Sequence, residues 1–250
     1  MTLKFNRYVL LFALTGIVSS VSANTFVEPD DKYLSIKSME VREVYSDPLG
    51  VNKYEVISHK EIGIVPQGLP NSAGGVDPLE KTGKVISVAR DLVALGEDIY
   101  RLVIKGKPTN TTSYAPISVI PRINGQPVDI LDTETWNMPV KKTYEVVYEN
   151  LYGMDVVTYR YSVIYSYGGS YDGKGAYLTA VQIIPEKVRT LFGYDFTATM
   201  KLGGLQNQGT KANPIAAATI LMEYTVSTVL VANNEVDSFF ITGRGGFKKL

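Results

Sequence analysis

The sequence predicts a mainly β protein: an antiparallel β-sandwich carrying one long amphipathic helix and an N-terminal β-hairpin. Three observations lead there. Between residues 113 and 243, apolar and polar residues alternate in runs separated by turn residues, the signature of half-buried strands. One stretch, 84–105, breaks that alternation and repeats its apolar residues at spacings of three and four. Residues 33–65 read as two short alternating runs about a turn.

The chain opens with MTLKFNRYVLLFALTGIVSSVSANTF, which has the three parts of a secretory signal peptide. Lys4 and Arg7 give a positive start, Tyr8 to Val18 an apolar run, and Val21-Ser22-Ala23 a small-residue cleavage site. The run is too short for the roughly 20 residues a spanning helix needs. Processing after Ala23 is therefore expected, delivering the protein to the periplasm or the exterior. Residues 1–23 hold two basic groups and no acidic one, so the mature chain carries 23 basic and 25 acidic groups.

The first hairpin follows. Leu34, Ile36, Met39 and Val41 alternate with polar neighbours, with a slip near Ser38 that predicts a bulge. Ser46 to Gly50 is a turn, and Tyr54 to Val65 returns. Residues 66–83 are rich in Pro, Gly and Asn and read as a linker, completing an N-terminal unit over 24–83. The predicted helix spans 84–106: Val85, Val88, Leu92, Leu95, Ile99 and Leu102 form its stripe, Thr82 offers a cap, and Gly106 with Pro108 ends it. Its internal charges, Arg90, Asp91, Glu97, Asp98 and Arg101, exclude a stable membrane span.

The sandwich is expected over 113–243. Pro121 places the strand 117–123 at an edge, Pro185 ends the strand from Tyr177, and Asn233-Asn234 turns the chain after a strand from Ile220 to Val231. Residues 244–250 form a basic, glycine-containing tail, expected to fray.

Composition narrows the chemistry. The chain of 250 residues has 25 basic and 25 acidic side chains, so it lacks the positive excess of a nucleic-acid binder. With no Cys it has neither disulfides nor thiolate-held metals or clusters, and its single His excludes His-pair metal sites. Metal ligation is left to oxygen ligands such as Asp30, Asp31 or Asp172, and no cofactor is expected.

Four motifs compete for a functional role. Gly168 to Gly175 nearly matches a phosphate-cradling loop, but Gly175 stands where the Mg²⁺-holding hydroxyl belongs; a glycine-rich hairpin is the better reading. His59 and Ser58 are strand neighbours pointing to opposite faces, so they do not form a dyad. Glu145 and Glu149 share a strand face about 13 Å apart, too far for a retaining glycosidase pair. Most distinctive is a tyrosine band from Tyr144 to Tyr177, containing Tyr159, Tyr161, Tyr165, Tyr167 and Tyr171. Such rings suit core packing and binding surfaces alike.

The expectation drawn from these features is an exported, non-catalytic binding or structural module, with Tyr159, Tyr161, Tyr165, Tyr167 and Tyr171 as its candidate interaction surface. Its partner would be a protein, a glycan or a membrane surface, and not nucleic acid. Three rivals stand beside it. One is a membrane-active or pore-forming protein, inserting the helix or the ribbon 143–167. Another is an extracytoplasmic hydrolase using Asp/Glu or the lone His. The last is an outer-membrane barrel, disfavoured by the mid-chain helix and the missing terminal aromatic strand end.

Overall fold

The computed structural model describes residues 29–46, 50–63, 87–89, 92–96, 99–105, 107–111 and 116–250. The predicted leader and linker lie outside them. The chain opens with one helical turn, α1 (Asp31–Leu34), and a hairpin of β1 (Ile36–Ser46) and β2 (Asn52–Glu61). Short strands follow: β3 (Ser87–Ala89), β4 (Leu92–Leu95), β5 (Ile99–Lys105), β6 (Lys107–Thr111), β7 (Ile117–Ile123) and β8 (Gln126–Pro127). A 3-10 turn at Ile130–Asp132 leads to the long strands β9 (Val140–Asn150), β10 (Asp155–Tyr171), β11 (Lys174–Thr190), β12 (Asp195–Asn207), β13 (Ala216–Ser227) and β14 (Ala232–Thr242). The last strand is β15 (Phe247–Lys249).

These strands form two antiparallel sheets facing each other, a sandwich-like arrangement. The first runs β2-β1-β9-β10-β11-β7-β4-β3, with β8 pairing β7; the second runs β15-β14-β13-β12-β5-β6. The bulge expected near Ser38 is present, as a register shift between Ile36 and Ser38 against β9.

No long helix occurs among the described residues, and the helix predicted at 84–106 is corrected, over its described residues, to strands β3, β4 and β5. The apolar spacing there has another origin. Leu92, Val93 and Ala94 are buried one after another because β4 lies between covered faces, whereas Leu102 and Ile104 alternate on β5. Gly96 carries the chain from the first sheet to the second. Its φ of +132° suits glycine, and an added Cβ would sit 2.6 Å from the carbonyl oxygen of Pro116. The interior glycine and the β-branched Val85, Ile86, Val88, Val93, Ile99, Val103 and Ile104 were the sequence signals against a helix.

Other boundaries differ from expectation. β7 is not an edge strand, since β11 and β4 flank it; its pairing with β11 reaches Val119 and does not include Pro121. β11 passes through Pro185, which pairs with Tyr161 at a register shift, the kind of site where a missing N–H is tolerated. The turn after β13 is Thr228–Val231, where the Thr228 hydroxyl oxygen accepts from the Leu230 and Val231 amides; Asn233 and Asn234 lie within the ladder of β14. The tail forms a strand: Phe247 stacks on Tyr165 with 6.1 Å between ring centroids, and β15 pairs with β14.

The core is aromatic. On β10 the inward positions Tyr159, Tyr161, Val163 and Tyr165 are fully buried. Tyr159 meets Phe196 at 5.1 Å between centroids, and Tyr144 meets Phe239 at 5.2 Å, both across the two sheets. Phenol groups inside such a core need partners. Asp237 on β14 supplies one: its Oδ2 accepts from the Tyr224 hydroxyl at 2.8 Å and the Tyr161 hydroxyl at 3.1 Å, while Lys249 pairs with Oδ1. Burial, reinforced by the nearby carboxylate, holds both phenols well above their ordinary pKa.

Candidate functional site

Three of the five candidate interaction tyrosines are withdrawn from any surface. Tyr159, Tyr161 and Tyr165 fill the space between the sheets, and Tyr167 and Tyr171 are part-buried against the same cluster. The alternation of Tyr159, Tyr161 and Tyr165 matches the inward face of β10 and makes these three rings core, while Tyr167 and Tyr171 keep part of their surface in solvent.

The other motifs also find structural places. Gly168 to Gly175 forms the β10–β11 hairpin end, with Asp172 and Gly173 at φ 49° and 67°, as a tight primed turn requires. The segment after Lys174 is a strand, so there is no helix N-terminus to face a phosphate. His59 is exposed on β2, with Nε2 3.0 Å from Glu61 Oε1. Glu145 and Glu149 are both ion-paired, Glu149 to Lys37 at 2.7 Å. Glu145 is not a solvated charge: it is buried, 2.9 Å from Arg160 Nη2 and 3.9 Å from Arg42 Nη1. Arg160 in turn lies over the Tyr54 ring, 5.5 Å from its centroid. This ladder crosses β1, β9 and β10 and leaves its carboxylates engaged. Asp30 serves as the N-cap of α1, and no group of three or more potential metal ligands forms among the described residues.

A different feature emerges at one end of the sandwich. The β9–β10, β11–β12 and β13–β14 turns all lie there, since Val157 pairs with Thr190 and Asp195 with Ser227. They expose Leu151, Tyr152, Met154, Phe192 and Val229, the last two at 62% and 79%. Turn tips are normally polar, so five large apolar side chains on three neighbouring turns call for a reason.

Helix α1 holds these turns together as one platform. Asp30 Oδ1 accepts from the Tyr33 amide at 2.8 Å, fixing the cap, and Oδ2 accepts from the Tyr152 hydroxyl of the first turn. The Asn150 side chain donates to the Tyr33 carbonyl at 3.2 Å. The Tyr33 hydroxyl donates to the Phe192 carbonyl at 2.9 Å in the second turn, and the Tyr194 hydroxyl reaches back to the Tyr33 carbonyl. In the third turn, the Thr228 hydroxyl donates to the Leu34 carbonyl at 3.0 Å. The Tyr152 hydroxyl, followed by the Tyr33 amide, holds the Asp30 carboxyl below its ordinary pKa. Burial raises Tyr194 to about 12. Beside the turns, Asp30, Asp31, Lys32 and Tyr152 line an open depression of about 460 Å³.

In the sequence this platform is inconspicuous, because Tyr152 is one more ring of the tyrosine band between Tyr144 and Tyr177. The available signal was local: Leu151, Tyr152 and Met154, then Phe192, then Val229, are large apolar residues at turn positions. The chain matches no protein-family model, and no curated protein or solved structure shows significant similarity to it.

Proposed function

We propose that this chain is an exported, non-catalytic binding or structural module that works by end-on contact through the α1 platform. The observation that carries this reading is the exposure of five large apolar side chains on three turns that α1 ties together. A rigid scaffold presenting its contact residues on loops is a common architecture for recognition. The N-terminal pattern of Lys4, Arg7, the apolar run and Val21-Ser22-Ala23 supports export with processing after Ala23, to the periplasm or the exterior. In this reading the working surface is the turns at 151–154, 192 and 229 in place of the β10 tyrosines.

The test is fractionation of the native host expressing the wild type or the double variant Phe192→Ser with Val229→Ser. The wild type should begin at Asn24 and sediment with the envelope or a partner. The variant should be exported and folded but free in the soluble fraction. A mature protein beginning at Met1 or Thr2 overturns the export reading, and identical fractionation of wild type and variant overturns the platform reading.

A further inference from the structure

We propose that two copies of this chain associate edge to edge, pairing β2 with β2 across a two-fold axis and continuing the first sheet from one protomer into the other. The pairing is independent of the α1 platform, whose residues it does not use. The first argument is the strand itself. β2 ends its sheet, no strand lies beyond it among the described residues, and all ten of its residues are exposed. The other terminal strands, β3, β15 and β6, have three, three and five residues. Short edge strands guard a sheet against pairing with another chain, and β2 lacks that guard. Its middle carries Tyr54, Val56 and Ile57, exposed at 45%, 54% and 38%. Such an edge is recognised by another extended strand, whose backbone amides and carbonyls complete the ladder.

The second argument is register, and it selects a second copy as the occupant. Glu40 and Arg42 on β1 point away from the second sheet, opposite in sense to the buried Met39 and Val41. His59 stands beside Glu40, Val56 beside Arg42 and Tyr54 beside Val44, so these three share the outer face. Lys60 stands beside Met39 and bonds Glu235 of the second sheet, and Glu55 stands beside Glu43, so these two take the inner face. The bulge at Ile57 moves the outer positions from even numbers to odd ones.

Two antiparallel copies of β2 keep outer beside outer and inner beside inner, with both arms paired, only when the axis passes through that bulge. Two registers do so. One sets Val56 opposite Ile57 and forces Lys53 against Lys60, twice. The other sets Ile57 opposite Ser58, and then pairs Val56 with His59, Glu55 with Lys60 and Tyr54 with Glu61, each twice. In the second register no like charges are opposed, and Glu55 meets Lys60 on both sides of the axis. The Lys60 ammonium has three donors, so it can serve Glu55 of the other copy and still hold Glu235. The bulge then lies on the axis, and residues 54–56 and 59–61 form the ladder.

The test is sedimentation velocity of the purified protein over a concentration series, where the wild type should pass from monomer to dimer. Glu55→Lys and Lys60→Glu each oppose like charges twice and should weaken the dimer by about tenfold. An equimolar mixture of the two variants restores both opposite-charge pairs and should dimerise like the wild type. The chain has no cysteine, so the register can also be read by cross-linking. On oxidation, Val56→Cys mixed with His59→Cys should give a disulfide-linked heterodimer, and neither variant alone should do so. A wild type that stays monomeric throughout the series overturns the proposal, as does a dimer whose mixed cysteine variants do not cross-link. Cross-linking beside an unrestored charge mixture supports the edge pairing and assigns the loss in Lys60→Glu to its contact with Glu235.

Discussion

Replacing Gly96 by Ala reverses sign between the two structures that 84–105 could adopt. In the middle of a helix, glycine is destabilising by about 1 kcal/mol relative to alanine, so the substitution would stabilise the protein. In the sandwich, Gly96 is the crossing point between sheets, with φ of +132°. Its new methyl would lie 2.6 Å from the Pro116 carbonyl oxygen, 3.0 Å from Ile117 Cα and 3.1 Å from the Pro116 carbonyl carbon. All three are backbone atoms at the start of β7, which is pinned by β4 on one side and β11 on the other. Neither a rotamer change nor a flexible side-chain tip can relieve the contact. An L-residue in that backbone region costs roughly 1–3 kcal/mol, and overpacking adds a further 1–3 kcal/mol or so. The expected loss is therefore about 2–5 kcal/mol, read as a lower urea midpoint with an unchanged slope. A Gly96→Ala variant as stable as the wild type, or more so, would refute the strand assignment and restore the helix.

Three further outcomes are expected. Asp237→Ala removes the acceptor for Tyr161 and Tyr224 and strands Lys249, so urea unfolding should show a loss of about 3–5 kcal/mol, against a smaller loss for the part-exposed Lys249→Met. The Asp30 carboxyl is held below its ordinary pKa by the Tyr152 hydroxyl and then the Tyr33 amide, so its contribution is complete above about pH 4 and is lost as pH falls through its lower folded value. Carboxyl NMR should find that midpoint moving up towards the ordinary value in Tyr152→Phe, and an unmoved midpoint would contradict the platform geometry. Phe192→Ser and Val229→Ser should each change unfolding free energy by less than about 0.5 kcal/mol, because their side chains are largely in solvent; a larger loss would make them structural.

The tyrosine band shows why the candidate site was harder to read than the fold. Alternation along Tyr159, Tyr161, Val163 and Tyr165 reports that one face differs from the other, but not which face is covered. Both sides of a strand look alike until a second sheet is placed, and here Phe196, Tyr224 and Phe239 close over the rings. Glu145 shows the same limit in reverse. A carboxylate on a strand ordinarily faces solvent, yet Arg42, on a strand 103 residues away in sequence, and Arg160 enclose this one.

By itself the sequence determined what depends on neighbours along the chain. The period-two runs produced β1, β7, β9, β10, β12 and β14, because backbone geometry sends successive side chains to opposite faces. The slip near Ser38 produced a bulge, and Asp172-Gly173 a tight hairpin, for equally local reasons. Tertiary structure alone decided the rest. A spacing of three and four, over 84–105, satisfies a helix stripe and also three short strands divided between sheets; the close approach of Gly96 to Pro116 selects the second. Leu151, Phe192 and Val229 become one surface only because α1 joins three turns that are far apart in the chain. Burial and juxtaposition are properties of the packed whole, and no residue carries them alone.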